Sequence, residues 1–198
     1  MKTSLLLKST LALALATPLL ASAESQLITG AGSAVARLDF RVIVPRVLFL
    51  GVGTGAAAAT PATNATIDTV TFDYTTNPAA VGTGAAAGAI TGNVVPVRVV
   101  GNNGQVSLTA ATTGALTNGT ADTIPWSEIT ATSSLAALPS PVIPATGTGA
   151  GSNVTLSSGT KITDRSANWT FSYANTAVVA PGTYGTTNGR VTYTASMP

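Results

Sequence analysis

The chain has 198 residues with no cysteine and no histidine; 8% are charged and 45% hydrophobic. Those absences exclude a disulfide frame, a thiol nucleophile, a histidine general base and the usual zinc ligand sets. Thirty-four threonines and 20 glycines with so little charge also exclude a solvated disordered chain, and predict one folded, β-rich domain of ordinary size.

Residues 1–23, MKTSLLLKSTLALALATPLLASA, place Lys2 and Lys8 around the start of a short apolar stretch that ends in Ala21-Ser22-Ala23. A basic start, an apolar middle and a small-x-small site predict a signal peptide cleaved after Ala23, and hence export. The apolar stretch falls short of the roughly 20 residues that cross a bilayer, and no later segment predicts a membrane span. Cleavage leaves seven basic and seven acidic groups, a formally neutral mature chain. No basic patch is left to neutralise phosphates, which argues against nucleic acid as a partner. A neutral exported chain with Lys161 as its one lysine lacks the charge that keeps monomers apart, which points to a subunit.

The most regular segment comes first. Residues 34–44, AVARLDFRVIV, put Ala34, Ala36, Leu38, Phe40, Val42 and Val44 on one face and Arg37, Asp39 and Arg41 on the other. Strict alternation predicts a strand with one packed face. Pro45 interrupts ladder pairing, and residues 47–52 resume as a second apolar run. Residues 24–46 are therefore read as an N-terminal extension and 47–198 as the domain proper.

Within that domain, residues 69–74 alternate through Val70, Phe72 and Tyr74. Residues 94–100 are nearly all apolar, Gly101-Asn102-Asn103-Gly104 follows, and 105–110 alternate through Val106, Leu108 and Ala110. Two such runs about a Gly/Asn turn predict a β-hairpin. Residues 167–173 set Trp169, Phe171 and Tyr173 on one face, and 190–197 close the chain with Val191, Tyr193, Ala195 and Met197 on one side. Gly/Ala stretches at 51–59, 82–89 and 146–151 read as loops, partly helical at the alanines. Short strands separated by Gly, Pro, Asn and Thr predict an all-β, immunoglobulin-like antiparallel sandwich.

Chemical motifs are sparse. Gly51-Val52-Gly53-Thr54-Gly55 has the glycines of a phosphate loop but dissolves into alanines and Pro61 instead of opening a helix. Asp68, Asp73, Asp122, Glu128 and Asp164 are scattered singly, without the spacing of a calcium loop or a local acid pair. Serine and threonine hydroxyls have no histidine to activate them, and Lys161 sits in an ordinary polar stretch. No catalytic residue, cofactor or metal site is expected, and an enzyme is not. Trp169 lies on an apolar face and reads as core; Trp126, after Pro125, reads as the more open ring and a possible ligand contact.

The two ends carry the most informative pattern. ARLDFRVIVPRVLFL (residues 36–50) and APGTYGTTNGRVTYTASMP (180–198) resemble the terminal segments of chaperone–usher pilins. The similarity is to the cysteine-free alternative and common-pilus types and to the spore-coat-U-like subunits, and it covers the general plan of the mature chain. Two features depart from the pattern: there is no disulfide near the start, and the penultimate residue is Met197 rather than an aromatic. The resemblance implies a homopolymer at the cell surface, assembled through a periplasmic chaperone and an outer-membrane usher. Ala34, Ala36, Leu38, Phe40, Val42 and Val44 would form the donor strand, and Val191, Tyr193 and Ala195 would border the acceptor groove. The alternative is a self-complete exported module that binds a glycan or a surface protein through Trp126 and the Gly/Ala/Thr loops.

Overall fold

The computed structural model describes residues 25–57 and 60–198, so the expected signal peptide lies outside the described residues. The chain divides into two compact units, Met1–Val44 and Pro45–Pro198. The described part of the first holds no strand or helix: residues 34–44, expected as a strand, join no ladder. Alternation prepares a segment for a sheet, but only a neighbour's backbone makes it a strand.

The second unit is all-β. In chain order its strands are β1 (Leu48–Val52), β2 (Thr71–Asp73), β3 (Ala89–Thr91), β4 (Val94–Gly101), β5 (Ser107–Thr112) and β6 (Leu116–Thr117). There follow β7 (Thr123–Ile124), β8 (Ile129–Ser133), β9 (Gly147–Thr148), β10 (Ser152–Asn153), β11 (Thr163–Tyr173) and β12 (Thr192–Ser196). The described helical elements are 3-10 turns at Gly53–Ala57, Pro78–Ala80 and Trp126–Glu128, none long or apolar enough to cross a membrane.

The two main sheets run β1-β4-β11-β8 and β10-β5-β12 with β9 also on β5, and β2-β3 and β6-β7 form two-stranded sheets, all antiparallel. The main pair forms a β-sandwich. Val95, Val97 and Val99 of β4 with Trp169 and Phe171 of β11 meet Leu108 of β5 and Val106, just before it, in one buried cluster. Period-two burial along β4 and β5 follows their alternating apolar residues.

The hairpin expected between β4 and β5 is corrected. The two strands belong to different sheets, and the turn between them is an arch across the sandwich. The cause is apolar demand: the buried faces of both strands must meet each other, not lie side by side. Gly101 permits the approach, since a Cβ there would stand 3.0 Å from Val106 Cγ2, and Gly104 turns the chain at φ 103°.

Two polar residues organise the loops. Asn175, fully buried at φ 57°, accepts from Gly82 N (2.9 Å) and donates through Nδ2 to Ala80 O (2.6 Å) and Ala85 O (2.8 Å). The Gly/Ala loop at 82–89 is thus pinned at its start. Glu128 accepts from Thr176 N (2.8 Å) and Thr176 Oγ1, which fastens the Trp126–Glu128 turn to the chain beyond β11. Those bonds, the hydroxyl's first, hold its carboxyl below the usual range.

Candidate functional site

Along one side of the sandwich β1 and β12 meet at a seam, with Cα atoms of the two strands within 8 Å of each other. β1 edges the first sheet and β12 edges the second, and each pairs on one side only, with β4 and β5 respectively. The two edge strands run in opposite directions. β1 is antiparallel to β4, the arch reverses the chain into β5, and β12 is antiparallel to β5. Arg46 Nη2 donates to Met197 O (2.8 Å), joining the start of one edge to the end of the other.

Facing registers define what lines the seam. Leu50 pairs with Val99 and Val52 with Val97, so Leu48, Leu50 and Val52 share the inner side of β1. Tyr193 pairs with Ala110 and Ala195 with Leu108, so Tyr193 and Ala195, flanked by Val191 and Met197, face inward from β12. The inward residues of β4 and β5 are fully buried, whereas Val191, Tyr193, Ala195, Met197, Leu50 and Val52 are only half-buried and Leu48 is exposed. The difference follows position in the sheet, since β1 and β12 are edges and β4 and β5 are central.

Tyr193 packs against the core from the β12 side of the seam. Its ring lies 5.1 Å from that of Trp169 at 59°, and its hydroxyl is buried with no hydrogen-bond partner among the described residues. Burial pushes the phenol up from 10 to about 12. Because the folded value is the raised one, its stabilising contribution is whole below pH 10 and is lost as pH rises through 12. Removing an unpartnered buried hydroxyl relieves a desolvation cost, so Tyr193→Phe is expected to stabilise the chain by about 1 kcal/mol. It should also abolish the part of the alkaline stability loss between pH 10 and 12 that belongs to this group. Urea titrations across that range check both.

The expected donor residues lie in the first unit. Ala34 and Ala36 are exposed, and Leu38, Phe40, Val42 and Val44 are 76%, 86%, 85% and 76% exposed. Soluble chains rarely leave so regular an apolar row in water without a use for it.

The sugar-contact expectation at Trp126 is corrected. The ring is 4% exposed within the core, and its Nε1 donates to Gly114 O at 2.7 Å. The 3-10 turn after Pro125 swings it inward, where burial and a carbonyl partner satisfy both of its parts. The carboxylates are also accounted for locally. Asp68 accepts from Thr54 N and Oγ1, Asp73 from Thr75 N, and Asp122 from Ala180 N. Among the described residues no three of them converge. Sequence reasoning missed Leu48, Leu50, Val52 and Met197 as seam residues, although their alternation with Phe49, Gly51 and Ser196 carried the signal.

No protein-family model matches the chain, and neither a curated protein nor a solved structure matches it.

Proposed function

We propose that the chain is an immunoglobulin-like structural subunit of a surface filament, joined by strand exchange. Residues 34–44 of one copy would fill the β1/β12 seam of the next. The observation that carries this reading is a matched pair in one chain: edge strands β1 and β12 whose inward apolar residues are only half-buried, and an exposed apolar row belonging to no sheet.

The physics of the exchange is strand addition. Once β1 and β12, now within 8 Å of each other, move apart, main-chain bonds would satisfy their free edges while alternate side chains enter the core. Burying Leu38, Phe40, Val42 and Val44 would contribute on the order of 6–12 kcal/mol, as an upper bound. Arg37, Asp39 and Arg41 would stay in water on the other face. Occlusion of two open edges would also remove an aggregation hazard from each subunit.

Export, a periplasmic chaperone that shields the seam, an outer-membrane usher and a role in adhesion or biofilm complete the proposal. They rest on the predicted signal peptide and the pilin resemblance. No catalytic step is part of the proposal. Negative-stain imaging of material sheared from the cell surface tests it: filaments containing this chain are expected, and compact monomers at every concentration would refute it.

A further inference from the structure

A chain that carries both a seam and a strand to fill it faces a competing reaction, insertion into itself. Residues 34–44 precede β1 by only Pro45, Arg46 and Val47. Folding back into its own seam would therefore make a hairpin with β1.

Parity fixes the loop of that hairpin. Leu48, Leu50 and Val52 face inward, and directly opposed residues of an antiparallel pair share a face. For Leu38, Phe40, Val42 and Val44 to face inward too, Val44 must oppose Leu48, with Pro45-Arg46-Val47 as the whole loop. A two-residue loop would oppose Val44 to Val47 and drive Arg37, Asp39 and Arg41 into the core. Three-residue hairpin loops use a type I turn followed by a left-handed residue, and here that position falls on Val47. A β-branched residue strongly resists positive φ.

The structure adds a lock at the same three residues. The Asn102 side chain accepts from Val47 N (2.8 Å) and donates to Pro45 O (2.8 Å), and Asn102 N donates to Val47 O (3.3 Å). Arg46 is tied to Met197 O at 2.8 Å. The backbone that would have to reverse is thus held in bonds to the arch and to the end of β12. Because β1 and β12 run in opposite directions, any strand between them is antiparallel to one and parallel to the other, so the loop and its bonds are what separate the two routes. A strand arriving from another chain carries no such loop.

We infer that Val47 and the Asn102 clamp are specificity determinants that favour insertion between chains over insertion within one. This inference rests on the strand-exchange reading. The test uses the full mature chain with Val47→Gly and Asn102→Ala combined, which supplies a left-handed loop residue and opens the lock. Assembly is followed by SDS-resistant laddering, and seam accessibility by capture of a fluorescent peptide of residues 34–44.

The double variant is expected to assemble at least tenfold more slowly than wild type, and its folded monomers should fail to capture the peptide. Wild-type laddering and capture in the double variant would overturn the inference. If the double variant does not melt cooperatively, Val47→Gly alone serves, with slowed assembly again expected and an unchanged rate again contradicting it. Should the wild-type chain itself neither ladder nor capture peptide, the exchange reading has failed, which is a separate result.

Discussion

Deletion of residues 25–44 from the mature chain is expected to leave residues 45–198 folded, unable to assemble, and able to bind the missing segment as a free peptide. No ladder of the sandwich includes the deleted residues, so its core and pairing survive the cut. A self-complete module with an internal strand at this position would instead lose a strand and unfold. At a hundredfold excess of peptide over its Kd, binding adds about 2.7 kcal/mol to the folded state. For a domain of this size that raises Tm by roughly 5–10 °C. A peptide with Leu38 and Phe40 exchanged for the neighbouring Asp39 and Arg41 should give no shift, because its apolar row is broken. Thermal melts with and without each peptide decide the matter.

Phe40→Asp is expected to abolish assembly while leaving the isolated subunit as stable as before. Phe40 is 86% exposed, and substitutions at such sites change stability by only about 0.5 kcal/mol. In the exchanged state the same position would be buried. There the variant loses the phenyl ring's burial and places a carboxylate in an apolar seam, a combined cost of at least about 3 kcal/mol. That corresponds to at least about a hundredfold loss in peptide affinity. Asp39→Asn, on the opposite face, should leave both properties unchanged. Subunit melting and peptide titration together separate a folding defect from an assembly defect.

Much of the fold was legible because alternation is a direct consequence of pleating. β5, β11 and β12 fall where apolar residues recur every second position, β4 falls on a nearly unbroken apolar run, and Trp169 and Phe171 lie in the core as their spacing predicts. Pairing was less legible. The turn at residues 101–104 has the composition of a hairpin, yet it is an arch, because the choice depends on which apolar faces meet rather than on the turn residues. Trp126 was misread for a related reason. Its burial depends on a 3-10 turn and on a carbonyl from Gly114, twelve positions away, and neither leaves a periodic trace. Asn175 gave no signal at all, since a lone asparagine after a strand reads as surface until the loop it binds is known.

The candidate site was half legible. Val191, Tyr193 and Ala195 share the inward face of the last strand, as their alternation implied, but the opposite lip formed by Leu48, Leu50 and Val52 emerged only from the pairing of β1 with β4. For residues 34–44, alternation specifies that one face seeks a core, and cannot specify whose core.

The most direct measurement is disulfide exchange between chains, because the native sequence contributes no cysteine of its own. One differently tagged chain carries cysteine in place of Arg37, Asp39 or Arg41; the other carries it in place of Thr192, Thr194 or Ser196 on the solvent side of β12. Neighbouring strands lie about 4.8 Å apart, within the roughly 4.4–6.8 Å that a disulfide spans between Cα atoms. Strand exchange predicts covalent bonds between the two tagged chains at one consistent register. Bonds found only within a chain that carries both cysteines, or none despite folded subunits and full oxidation, would contradict it.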